Sequence, residues 1–154
     1  MNVKTKRIIA VFELVIVIAL IAWALCPRSI DQALGIDREA VTQVHVTLTG
    51  QEETREFTLN PDDPAYGELM ALLEEQTYIP LYLDKDNRSV ILDYEGNLTF
   101  YQGEAAYGMT FSGDKPIWFV GSGMRDRSFR TAGGEAFQQE ILDFLLAQSG
   151  DSPS

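Results

Sequence analysis

The 154 residues leave room for one domain and an anchor, since a typical domain takes roughly 100–150 residues. Of 12 basic and 23 acidic residues, three basic and one acidic precede Pro27, so nine face twenty-two beyond it, a net of −13. A domain this acidic repels phosphate backbones, which excludes nucleic-acid binding, and a single cysteine, Cys26, excludes an internal disulfide.

In chain order, Lys4, Lys6 and Arg7 come first, and the 19 residues 8–26 that follow carry one charge, Glu13. A helix needs about 20 apolar residues to cross the hydrocarbon, so residues 1–27 read as a cytoplasmic tip and a transmembrane anchor. The basic cluster predicts a cytoplasmic N-terminus. The membrane is thus the first partner expected, crossed once, with the C-terminal domain extracellular at the cell membrane. Glu13 lies about 7.5 Å into the run, shallow enough to reach the interface. Trp23 stands where an interfacial aromatic belongs, and Pro27 ends the helix. Ala22-Trp23-Ala24 also has the small-x-small form that signal peptidase accepts, which keeps open a secreted protein cut near Ala24.

The run FELVIVIALIAWA resembles the N-terminal helix of type IV pilins and pseudopilins. That resemblance implies a filament subunit in which Glu13 pairs with the N-terminus of a neighbour. Two departures stand against it: Ile8 occupies the place where the processing peptidase needs Gly, and Cys26-Pro27-Arg28-Ser29 interrupts the long rod of that family.

Residues 28–40 read as a short connector, with Ser29 or Asp31 capping a helical turn that ends near Gly35. An extracytoplasmic α+β domain is expected over residues 41–148 and a disordered tail over 149–154. Val44, Val46 and Leu48 alternate with Gln43, His45 and Thr47, and TREFTLN follows a turn, so residues 41–59 predict a hairpin with His45 on its polar face. Asp63 as N-cap and Pro64 at the first helical position start a helix whose apolar stripe is Tyr66, Leu69, Met70 and Leu73.

The runs YIPLYLD, SVILDYEG, NLTFYQG, YGMTFSG and PIWFVG then predict strands, with turns at residues 86–87, 95–97 and 113–114. Gaps this short imply an antiparallel meander without parallel crossovers. Residues 128–131 add an edge strand, and Gly133-Gly134 leads to a closing helix with Phe137, Ile141, Phe144 and Leu145 on its buried stripe. The fold class is α+β: β-β-α, four to six strands, then α, with one antiparallel sheet and two helices packed on one face.

No catalytic, cofactor or metal site emerges from the residue pattern. Ser122 lacks the first glycine of the hydrolase elbow and has no histidine after it to act as base. Asp84, Asp86 and Asn87 resemble the start of a calcium loop, but Arg88 takes the next ligand place. Zinc needs more His or Cys than the chain holds, and Asp93 with Glu95 reads as a solvated strand exterior. The unusual feature is Arg125, Arg127 and Arg130 within six residues, preceded by Trp118. Arginine forks suit carboxylates and Trp with Arg recurs at interfaces, so these four form a candidate partner patch; the alternative is that the arginines pair with neighbouring acids.

The charged start, the anchor, the V-x-x-V-x-V strand and the P-x-Y-x-x-L-M-x-L-L helix give the chain a layout similar to small single-pass exported proteins of Gram-positive bacteria. That resemblance brings no activity and no site residues. The expectation is a non-enzymatic binding module of the cell envelope that meets another envelope protein and uses no cofactor.

Overall fold

The computed structural model describes residues 3–81, 94–112, 116–121 and 127–150, with side chains in the first helix from Ile8 onward. The N-terminal helix α1 (Val3–Ala24) is followed by α2 (Ile30–Leu34), a 3-10 turn (Arg38–Ala40), the hairpin β1 (Gln43–Gly50) and β2 (Thr54–Leu59), and α3 (Pro64–Glu74). Then come β3 (Tyr78–Leu81), β4 (Tyr94–Gln102), β5 (Ala105–Phe111), β6 (Ile117–Gly121), β7 (Arg127–Thr131) and α4 (Gly134–Gly150). Seven strands make one sheet in the order β2-β1-β4-β5-β6-β7-β3, every neighbouring pair antiparallel. This is the α+β architecture expected from the sequence.

Alternation sets the two faces of that sheet, because successive side chains on a strand point to opposite sides. Val44, Val46, Leu48, Leu98, Phe100, Met109, Ile117 and Phe129 are fully closed to solvent, and α2, α3 and α4 contribute Leu34, Leu69, Leu73 and Ile141 to the same core. α2 packs on β5 and β6, α4 on β2 and β7, and α3 on α4. Tyr78, buried on edge strand β3, donates its hydroxyl to the Leu73 carbonyl at 3.0 Å and so fastens the end of α3 to the sheet. Phe119 meets both Tyr78 and Phe129 edge to face, at 5.6 and 5.0 Å between centroids.

Several expectations need correction. Residues 3–24 are helical, but among the described residues no helix is long and apolar enough to cross a membrane. From Ile8 to Ala24 the helix rises about 25 Å at ~1.5 Å per residue, and one further hydrogen bond, from Leu25 N to Ile21 O at 3.0 Å, follows its last residue. Among the described residues three α-helices, not two, follow α1. Within the connector the helical turn expected between Ser29 and Gly35 is present as α2, with a Ser29–Gln32 capping box at its start and Gly35 at φ 76° ending it; what the sequence did not mark is that Ile30, Ala33 and Leu34 are buried. Five residues are too few for a readable stripe, and the left-handed Gly35 suits a residue without a Cβ.

The turn expected at residues 95–97 is absent, because β4 runs straight through it. Gly96 has a packing role: it lies opposite Phe111, and a Cβ there would run into that ring, with Cε1 at 2.7 Å. The phenyl ring covers the bare backbone of the glycine, as in aromatic rescue. Residues 128–131 belong to β7, an inner strand, while β3 forms the edge. β3 and β4 run in the same direction with three strands between them, so the chain does make a crossover that a plain meander lacks. α4 continues through Ser149 and Gly150, which were expected in the tail; the Ser149 hydroxyl accepts from Arg55 at 3.0 Å.

Candidate partner surface

The register of β6 and β7 divides the expected patch. Trp118 faces Ser128 and Phe119 faces Arg127 across the ladder, while Ile79 of β3 faces Arg130. Phe119 points into the core, so Arg127 lies on the helix-facing side of the sheet, at its exposed end. Arg130, three residues on, lies on the opposite side with Trp118, its diagonal cross-strand neighbour at about 7–8 Å between Cα atoms. Arg125 falls outside the described residues, as do Ser122, Asp84, Asp86, Asn87 and Asp93. Of the four patch residues, the structure therefore brings together Trp118 and Arg130 and sets Arg127 around the corner of the sheet.

Among the described residues no helix packs on the face that carries Trp118. One cross-strand row reads Thr47, Asn97, Thr110, Trp118, Ser128 and Leu81, and the next reads Thr58, His45, Thr99, Gly108 and Val120. His45 Nδ1 sits 3.2 Å from Thr58 Oγ1 within that second row. Over β2, β1 and β4 the face is polar and threonine-rich. Over β6, β7 and β3 it turns apolar, with Ile79 38% and Val120 47% exposed beside half-buried Trp118. Ile79 was missed from sequence because only its alternation with buried Tyr78 and Pro80 marks it as an outward residue.

The arginines divide by role. Arg38 grips Glu74 with both guanidinium ends, at 2.6 and 3.0 Å, and its Nε lies 3.2 Å from Asp31, clamping the 3-10 turn between α2 and α3. Asp31 Oδ1 accepts no hydrogen bond, so the guanidinium charge is what compensates it. The hydrogen bonds from Arg38, then its charge, hold the Glu74 carboxyl below the ordinary carboxylate range, and Glu74 in turn raises Arg38. Burial pushes the Tyr66 and Tyr78 hydroxyls up. Arg55 pairs with Glu53. Arg127 and Arg130 have no ion pair among the described residues, and the acid next to them in sequence, Asp126, falls outside those residues.

A further arginine lies beyond the β3 edge, on the side of the sheet to which Tyr78 points. Arg28 pairs with Tyr78 as a one-residue extension of the sheet beyond β3, through bonds of 2.9 Å from Arg28 N to Tyr78 O and 2.8 Å in return. Among the described residues no group of three or more His, Cys, Asp or Glu is placed to hold a metal ion. Cys26 is exposed at the end of α1.

No family model matches the chain, and neither a curated protein nor a solved structure shows significant similarity to it.

Proposed function

We propose that the protein is a membrane-tethered, non-enzymatic binding module of the cell envelope, with α1 in the bilayer, its basic start inside and the α+β domain outside. One observation carries this reading: along α1 the large apolar side chains from Ile8 to Trp23 are exposed all round the helix, Phe12 by 66% and Trp23 by 72%, so the domain does not cover them. Each side chain of that size prefers an apolar medium by about 1.5–3 kcal/mol, and a whole helix of them in water is untenable. The hydrogen-bonded turn continues past Ala24, from Leu25 N to Ile21 O and from Cys26 N to Trp23 O, which brings all 19 apolar residues into the candidate span. Lys4, Lys6 and Arg7 orient it.

The binding role rests on the exposed apolar and cationic corner at β6, β7 and β3, set against an otherwise polar face. No nucleophile with a base and no convergent set of acids among the described side chains favours catalysis. The test is protease added to wall-stripped cells expressing the full chain, followed by mass determination of the N-terminal fragment. A degraded domain with α1 retained in the membrane supports the tether; a protected domain, or a soluble chain beginning near Leu25, overturns it.

A further inference from the structure

The geometry points to a coupling without a swivel: we infer that α1 and the α+β domain turn and tilt as one body, so that motion of the anchor in its bilayer reaches edge strand β3. This rests on the tether reading above. Past Ala24 the chain has little torsional freedom left before it enters the sheet. Leu25 N donates to Ile21 O at 3.0 Å and Cys26 N to Trp23 O at 3.3 Å, so both amides still belong to the last turn of the helix. Pro27 locks its own φ and confines Cys26 to extended backbone. Arg28 is fixed next, through bonds of 2.9 Å from its N to Tyr78 O and 2.8 Å in return. Between helix and sheet, φ and ψ of Cys26 and ψ of Pro27 are left, and the proline confines the first pair. A flexible linker loses the mutual orientation of its ends through many free torsions, which this segment lacks.

The domain holds the far end of the segment at several places. Arg28 extends the sheet beyond β3, whose Tyr78 is buried and tied to the end of α3. Ser29 caps α2, and Ile30, Ala33 and Leu34 of that helix are closed to solvent in the core. Asp37 N donates to Gln102 Oε1 at the end of β4, at 3.2 Å, and Arg38 grips Glu74 on α3. Residues 28–38 therefore cannot absorb a tilt of α1 unless α2 leaves the apolar core that closes over it. Strain from the anchor falls first on the bond pair between Arg28 and Tyr78, and through it on β3, which has β7 as its one neighbouring strand. The sheet is thereby held at a set angle to the bilayer normal, and a change in the tilt or rotation of α1 is delivered to its β3 edge.

Orientation in aligned bilayers tests this. The full chain carrying Cys26→Ser is placed in magnetically aligned bicelles, with a bifunctional nitroxide bridging Ala136→Cys and Glu140→Cys, exposed positions one turn apart on α4. A domain that follows its anchor gives a spectrum that changes as the bilayer normal is turned in the field; a swivelling domain gives the same spectrum at every angle. The same label across Val11→Cys and Val15→Cys reports α1 by itself. Insertion of Gly-Ser-Gly-Ser-Gly-Ser between Pro27 and Arg28 lengthens the connection and leaves every contact from Arg28 onward in place. The expected result is angular dependence of the α4 label with the native connection and its loss on insertion, with the α1 label angle-dependent in both chains. An α4 label without angular dependence beside an oriented α1 overturns the coupling and leaves the tether standing. Dependence that survives the insertion also overturns the coupling, because something other than the Leu25–Arg28 connection then orients the domain. An unoriented α1 label overturns the tether and the coupling with it.

Discussion

On its helix-facing side the sheet presents Val46, Leu98, Phe100, Met109 and Phe129, all closed to solvent; on its reverse it presents Thr47, His45, Thr99 and Thr110 over most of its width. Both faces share one hydrogen-bonded ladder, so the difference lies wholly in side chains at odd and even positions. Stability resides on the first face, through burial of apolar area and interlocking shapes. The second face is mostly polar over β2, β1 and β4, and over β6, β7 and β3 Trp118, Val120 and Ile79 stand on it with Arg130. A departure that stability does not require is where binding is to be sought.

The widest separation between the faces is expected at Phe100. Its replacement by alanine empties a fully buried aromatic site and costs about 3–5 kcal/mol, read as a fall in the denaturant midpoint of the full chain in detergent. A loss below about 1 kcal/mol would mean that β4 presents its other face to the helices. Next comes Gly96→Ala, which forces the Phe111 ring to move and costs about 1–3 kcal/mol. Shortening the ring with Phe111→Leu in the same chain recovers part of that loss, because the two positions are direct neighbours.

Much of this division was legible in the sequence. The alternation of Val44, Val46 and Leu48 specifies both the hairpin and its buried side, and the stripes ending at Leu73 and Leu145 locate two helices. Gly96 misleads because a glycine between Glu95 and Asn97 has the composition of a turn, while its partner Phe111 is fifteen residues away in sequence. The leap of β3 to the far edge depends on pairing with β7, a long-range contact that no local pattern encodes. The separation of Arg127 from Arg130 follows from their odd spacing once both are placed on one strand; counted as a cluster of charge, they suggest a single patch that the pleat divides.

Smaller effects come from the fastenings around the sheet. Tyr78→Phe leaves the ring in place and removes the donor to the Leu73 carbonyl, for a loss of about 0.5–1.5 kcal/mol. Glu74→Gln removes an exposed carboxylate whose folded pKa is depressed by Arg38. A depressed acid contributes stability above its unfolded pKa, and the contribution disappears as pH falls through the folded one. The native chain should accordingly lose more stability than the variant when melts at neutral pH are compared with melts below the ordinary carboxylate range. Equal losses would show that the Arg38 clamp contributes nothing through this group.

The least effect on folding is expected on the reverse face itself, and it is the most informative for function. Val120→Thr exchanges one β-branched side chain for another on an exposed strand position, so the midpoint should stay within about 0.5 kcal/mol of the native value. Thr99→Ser, in the same cross-strand row two strands away on the polar half, should be equally silent. If the valine were packed against something within the domain, its replacement would instead register as a core substitution, and the apolar corner would be an extension of the interior. Indifference of both sites to the melt would place Val120 and Thr99 alike outside the packed interior of the domain.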